Sequence, residues 1–243
     1  MKDKIGFVFD LDGTLINSTE VFGIIEKEVY NTFNITTTEE QEEKIDKLIY
    51  EIMHGENRKN LGRKLLTEIF KILGLSFFQR IKALKLSDKI FKREIKKIKI
   101  FDGAKELIDF LEQNDFEFAI ATTSSAGEVD DRLTKFPEFY EKFEGRIITR
   151  SHVTNLKPHP ESIKKASELM GVPLKNIVMV GDMISDIKMG KAVGAVTVGC
   201  LTGIFSKERL LKLEPDFVLD SVAAIKDNFQ KIVEKVEYNK NRS

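Results

Sequence analysis

Two short clusters of carboxylates, each following an apolar run, are the residues in this sequence best equipped for chemistry. Asp10-Leu11-Asp12-Gly13-Thr14 follows Ile5 to Phe9, and Gly181-Asp182-Met183-Ile184-Ser185-Asp186 follows Ile177 to Val180. At i and i+2 on an extended chain, Asp10 and Asp12 can point the same way, and Gly13 frees the backbone to turn after them. An EF-hand calcium loop needs Gly at its sixth position and Glu at its twelfth. Counted from Asp10, Gly stands fourth and Val21 twelfth, so that reading fails. A plain polar turn stands as the alternative for the first cluster taken alone. If both clusters end parallel strands at one sheet edge, three or four carboxylates converge there. Two unit charges about 4 Å apart at an effective dielectric of about 20 repel by about 4 kcal/mol. A bound cation resolves the conflict, and an all-oxygen donor set suits a hard ion such as Mg²⁺.

Two more groups suit a phosphoryl dianion. Phe118 to Ala121 ends in Thr122-Thr123-Ser124-Ser125, hydroxyl and amide donors at the expected start of a helix, where free backbone N–H groups favour an anion. Lys157-Pro158 offers an ammonium in a loop restrained by proline. Each alone has a bland reading, a helix cap for the hydroxyls and a solvated side chain for the lysine. Their order along the chain, together with the carboxylates, is what gives them weight.

The elements that must position these groups are legible as alternating patterns. Short apolar runs at Ile5 to Phe9, Phe116 to Ala121, Arg146 to Thr149, Ile177 to Val180, Ala195 to Val198 and Phe217 to Leu219 read as strands. Helical spacing separates them, for example Ala104, Leu107, Ile108 and Leu111 at i, i+3, i+4 and i+7. The alternation predicts an α/β fold, a Rossmann-like parallel sheet flanked by helices. From Ser18 to Lys99 the pattern is helical throughout, too long for a crossover, with Thr38 and Gln41 at capping-box spacing and Gly55 and Gly74 as breaks. We therefore expect a core of residues 1–17 and 100–243 and an inserted all-helical cap of residues 18–99 over the first strand end. The tail after Lys235, Asn239 to Ser243 above all, is expected to fray.

Composition narrows the function classes. The 243 residues are 42% hydrophobic, enough for a full core. Basic and acidic residues number 39 each and cancel, so no global field favours nucleic acid or an anionic membrane. The basic run from Arg80 to Lys99 reads as the solvated face of an amphipathic helix. Cys200 is the single cysteine, which excludes an intrachain disulfide and fits a reducing cytoplasm. The apolar run before Asp10 is too short for a signal-peptide core or a membrane span. His54, His152 and His159 lack zinc-ligand spacing and read as structural or solvated.

Asp10 to Thr14, Thr122, Lys157, Asp182 and Asp186, in that order, resemble the four motifs of the haloacid dehalogenase-like hydrolases, nearest the phosphoglycolate phosphatase and β-phosphoglucomutase branch. The helical insertion sits where that branch carries its cap. The resemblance implies a phosphatase acting on a small phosphorylated metabolite. Asp10 would be the nucleophile that forms an aspartyl-phosphate, and Asp12 the general acid and then base. Mg²⁺ would be held by the carboxylates of Asp10 and Asp182 and the carbonyl of Asp12, with Asp186 orienting a water or Lys157 from behind. Thr14, Thr122, Thr123 and Lys157 would bind the phosphoryl group. Attack on carbon with loss of halide needs neither acid nor metal, so Asp12 and Asp182 argue for phosphoryl transfer. Met183 departs from the small or hydroxyl residue common after the first aspartate of the last motif. Asn17 stands where an aspartate is frequent; neither change removes a catalytic group.

Two other readings stand. A phosphosugar mutase shares the chemistry but needs a cap that holds a bisphosphate. His54, Gly55 and Arg58 are the candidate substrate contacts there, against the alternative of a surface turn. A non-catalytic binding protein on the same fold would lack a catalytic residue, and none is missing. Monomer and homodimer are both compatible with the sequence.

Overall fold

The computed structural model describes residues 4–53 and 61–241. The elements run β1 (Gly6–Phe9), α1 (Thr19–Phe33), α2 (Glu39–Met53), α3 (Leu61–Ile72), α4 (Phe77–Glu94), α5 (Ala104–Gln113), β2 (Glu117–Ala121), α6 (Ala126–Leu133), α7 (Pro137–Glu141), β3 (Ile147–Ile148), α8 (Glu161–Met170), β4 (Ile177–Gly181), α9 (Ile184–Ala192), β5 (Val196–Cys200), α10 (Lys207–Leu211), β6 (Phe217–Leu219) and α11 (Ala224–Asn241). Contacts divide the chain into two compact units, Met1–Asn17 with Lys99–Ser243, and Ser18–Ile98.

The first unit holds a parallel six-stranded sheet in the order β3-β2-β1-β4-β5-β6. Strands buried on both faces read as unbroken apolar runs, and β1, β4 and β5 are buried at every position. Side-chain alternation assigns the layers. Gly6 faces Met170 and Val172, at and just beyond the end of α8, and a Cβ on Gly190 of α9 would meet Met179 and Thr197. Met179 is in register with Val8, two residues on from Gly6, so α8 and α9 cover one face. Phe7 points the other way, onto Phe116 and Phe229, while Phe229 also meets Phe110. Helices α5 and α11 therefore cover the opposite face, and each such aromatic pair adds about 0.5–1.5 kcal/mol beyond its burial. Ala104, Leu107, Ile108 and Leu111 are the buried stripe of α5, as their spacing predicts.

The strand order reverses at β1, whose neighbours are β2 on one side and β4 on the other. In an open parallel sheet this is where the strand ends splay into a crevice. The expected strands all form, with ends displaced by no more than two residues. Helix α11 runs to Asn241, into the tail expected to fray, and Val236 is the last buried residue on it.

The second unit contains α1 to α4 and no strand among its described residues. Helix α1 packs on α4, and α3 on both α2 and α4. Thr38 and Gln41 form the reciprocal backbone bonds of a capping box ahead of α2, and Ser76 and Gln79 do the same for α4. Gln41 also donates to the Ile72 carbonyl at the end of α3. On α4 the buried positions are Ala83, Ser87, Ile90 and Glu94, while Lys82, Lys85, Lys89 and Lys92 are exposed, the solvated basic face expected. Among the described residues no helix is long and apolar enough to cross a membrane. His54, Gly55 and Arg58 lie outside the described residues.

Candidate active site

The carboxylates meet where the strands end. Asp10 follows β1, and Asp182 and Asp186 follow β4 and open α9; one oxygen of each lies within 4.8 Å of the others. Asp182 and Asp186 are fully buried and Asp10 is 6% exposed. Lys157 reaches in from the loop before α8, its Nζ 2.6 Å from Asp10 Oδ1 and 2.7 Å from Asp186 Oδ1. Its peptide bond to Pro158 is cis.

Three carboxylates face one ammonium. Burial pushes Asp10 up to about 7; Lys157 works against that rise, and Asp186 and Asp12 add to it. Burial also raises Asp182 well above the usual carboxylate range, with Asp10 and Asp186 reinforcing it and a bond from Thr14 opposing it. Burial disfavours the charge on Lys157, but Asp10 and Asp186 outweigh it and hold the ammonium firmly protonated. Asp182 Oδ1 accepts from Thr14 Oγ1 at 2.9 Å, while Asp182 Oδ2 is buried with no hydrogen-bond partner. A buried, partnerless carboxylate oxygen is costly unless a cation or donor meets it. Two uncompensated negative charges, oxygen donors only and that open oxygen fit a divalent hard cation.

Local backbone geometry builds the pocket. Gly13, at φ 84°, takes a conformation other residues resist, and its N–H bonds the Ile16 carbonyl to close the loop after β1. Thr202 Oγ1 donates to the Gly13 carbonyl at 2.6 Å. Gly203 beside it presses on the site: a Cβ there would lie 1.9 Å from Asp182 Oδ2.

The side chain of Asp12 does not join the other three. Its Oδ2 accepts from Arg132 Nη1 at 2.6 Å and from Ser124 Oγ at 2.8 Å. The alternation that would align it with Asp10 holds only within a strand, and β1 ends at Phe9. Thr14, expected at the phosphoryl group, gives its hydroxyl hydrogen to Asp182. Thr122 is buried at the end of β2 and accepts from the Ser124 N–H at 3.1 Å; Thr123 is partly exposed beside it. Arg58 is outside the described residues. Arg132 is the contact that sequence reading missed. It is 120 residues from Asp12, and its only local signal is a spacing of eight from Ser124.

With this geometry in view, comparison with known proteins is informative. The family model for haloacid dehalogenase-like hydrolases matches residues 7–200. The chain is 26% identical over 218 residues to the pyrophosphatase PpaX of Listeria monocytogenes serotype 4b, covering 89% of this chain and 92% of that protein. Among solved structures it is similar to a HAD hydrolase of family IA, variant 3, from Entamoeba histolytica, with TM-score 0.71, 23% identity and coverage of 96% and 99%. A predicted phosphoglycolate phosphatase from Haemophilus somnus superposes with TM-score 0.69 at 20% identity, covering 95% and 100%. The parallel sheet, the helical insertion after β1 and the match over most of the chain lead to one assignment: the protein belongs to the haloacid dehalogenase-like hydrolases.

Proposed function

We propose that this enzyme, a phosphatase of the haloacid dehalogenase-like family, hydrolyses a small phosphomonoester with the aid of Mg²⁺ through a phosphorylated Asp10. The observation that carries the reading is the buried set of Asp10, Asp182 and Asp186, with Lys157 bonded to Asp10 and Asp186 and one Asp182 oxygen unpartnered. Asp10 attacks phosphorus as the bond to the leaving oxygen breaks, splitting one displacement into two. Lys157 holds the Asp10 carboxylate in place and supplies positive charge where phosphoryl oxygens gather. Asp12 gives a proton to the departing alkoxide and later takes one from the water that releases phosphate from Asp10. The Thr122 hydroxyl, whose oxygen accepts from the Ser124 N–H, keeps its own hydrogen to give to a phosphoryl oxygen. Asp10, Asp182 and the Asp12 carbonyl would hold Mg²⁺, which supplies a positive charge that stabilises the phosphoryl group, with Asp186 fixing Lys157 behind them.

The relatives named pyrophosphatases favour a second substrate class, inorganic pyrophosphate, for which the same residues suffice. The test is phosphate release from a panel of phosphomonoesters and pyrophosphate, with Mg²⁺ or with EDTA, using wild type and Asp10→Asn. Loss of the nucleophile should lower kcat by at least about 10³-fold. Release that survives Asp10→Asn, or is indifferent to EDTA, would defeat the proposal. Isomerisation of a sugar phosphate without net release would assign the site to a mutase instead.

A further inference from the structure

The cluster around Asp12 is more specific than a phosphatase site requires. Arg132 Nη1 donates both to Asp12 Oδ2 and to Ser124 Oγ, each at 2.6 Å, and Ser124 Oγ closes the triangle onto Asp12 Oδ2 at 2.8 Å. Arg132 is 7% exposed and Ser124 is 8% exposed, while the Asp12 side chain is 25% exposed. A guanidinium only donates, so Ser124 accepts from Arg132 and must spend its own hydrogen on Asp12. Asp12 Oδ2 therefore receives two donors.

We infer that Arg132, acting with Ser124, is a positioning residue that fixes the Asp12 carboxyl group in one orientation toward the leaving oxygen. The inference rests on the reading of Asp12 as acid and base given above. In the first half-reaction a bond forms between an Asp10 oxygen and phosphorus, and the ester P–O bond breaks. Its electron pair stays on the leaving oxygen, which takes the proton from the Asp12 carboxyl group. In the second, Asp12 takes a proton from water as the water oxygen bonds to phosphorus and the P–O bond to Asp10 breaks, restoring both carboxyl groups. Without Arg132 and Ser124 the carboxyl group can rotate, and the acid is aimed only part of the time.

A merely structural role for Arg132, pinning α6 to the loop after β1, would slow all substrates alike. An aimed acid matters for a poor leaving group and little for a good one. The experiment compares kcat for p-nitrophenyl phosphate and for the alkyl phosphate that the wild type cleaves fastest, at saturating Mg²⁺. The variants are Arg132→Met, Arg132→Lys and Ser124→Ala, with Asp10→Asn and Asp12→Asn as references. Arg132→Met should lose about 100-fold in kcat on the alkyl ester and less than about threefold on the aryl ester, and Arg132→Lys should recover about tenfold. If Arg132→Met fails a thermal-melting check for folding, Ser124→Ala carries the test, with the same split at about tenfold. Equal losses on both esters, or an undiminished alkyl rate, would overturn the inference. An enzyme that cleaves the aryl ester and no alkyl ester would overturn it as well, having no use for an aimed acid. Activity surviving in Asp10→Asn would instead strike at the reading of the site on which the inference rests.

Discussion

Lys157 sits between two buried carboxylates, Asp10 and Asp186, and is bonded to both. Replacing it with methionine removes that positive charge and leaves both carboxylates buried. Breaking a buried pair this way costs about 3–5 kcal/mol, so Lys157→Met should lower the urea midpoint sharply in EDTA at pH 7.5, and Mg²⁺ should recover part of the loss. The pH dependence follows from Asp10. Its pKa in the folded, cation-free protein is raised from 3.8 to about 7, burial being the largest cause. A raised folded pKa means a contribution to stability that is fully present below 3.8 and lost as pH climbs through about 7. Protons and Mg²⁺ compete for the same oxygens. The rise in Tm on adding Mg²⁺ should therefore be larger at pH 8 than at pH 5.5, read by thermal melts at fixed Mg²⁺; a shift independent of pH would show that these carboxylates are not the ligands.

At the scale of elements, the ends of β1 and β4 place the carboxylates, and the loop after β5 shapes the space around them. Gly203 belongs to that loop, and an added Cβ at 1.9 Å from Asp182 Oδ2 cannot be accommodated unless the loop or the carboxylate shifts. Gly203→Ala should weaken Mg²⁺ binding by about tenfold or more, in keeping with the loss typical when the support of a ligand is disturbed. Titration calorimetry would measure this directly, and an unchanged affinity would mean that Asp182 Oδ2 plays no part in holding the ion. The strands themselves were readable in advance, because a strand buried on both faces must be apolar at every position. Helix α4 was readable for the opposite reason, one buried stripe beside one basic face.

At the scale of the whole molecule, the helical unit enters and leaves the sheet-bearing unit at neighbouring points. The Asn17 N–H bonds the Lys99 carbonyl at 2.9 Å, and Ile16 bridges Ile100. The two ends are thus already held together by the sheet-bearing unit, and the entropy cost of closing a loop there is small whatever its length. Replacing residues 18–98 with a short Gly/Ser linker should leave a protein that unfolds cooperatively with an α/β circular dichroism spectrum. A molten spectrum without a cooperative transition would show that the sheet needs the helical unit to fold.

The sequence by itself determined which residues could form a phosphoryl site, because parallel strands deliver their carboxyl ends to one edge and an apolar run ending in aspartate announces such an end. It determined the parallel sheet and the helical character of the segment after β1, because periodicity is a local property. It did not determine where the side chains at that edge point. Asp12 turns to Arg132, Thr14 to Asp182, and Gly203 presses on Asp182, each through contacts between segments far apart in the chain. Such contacts are set by how helices and loops pack around the sheet, and local pattern carries no record of them. Only the tertiary structure decided that Asp12 is held by a buried arginine while Asp10 is held by a lysine.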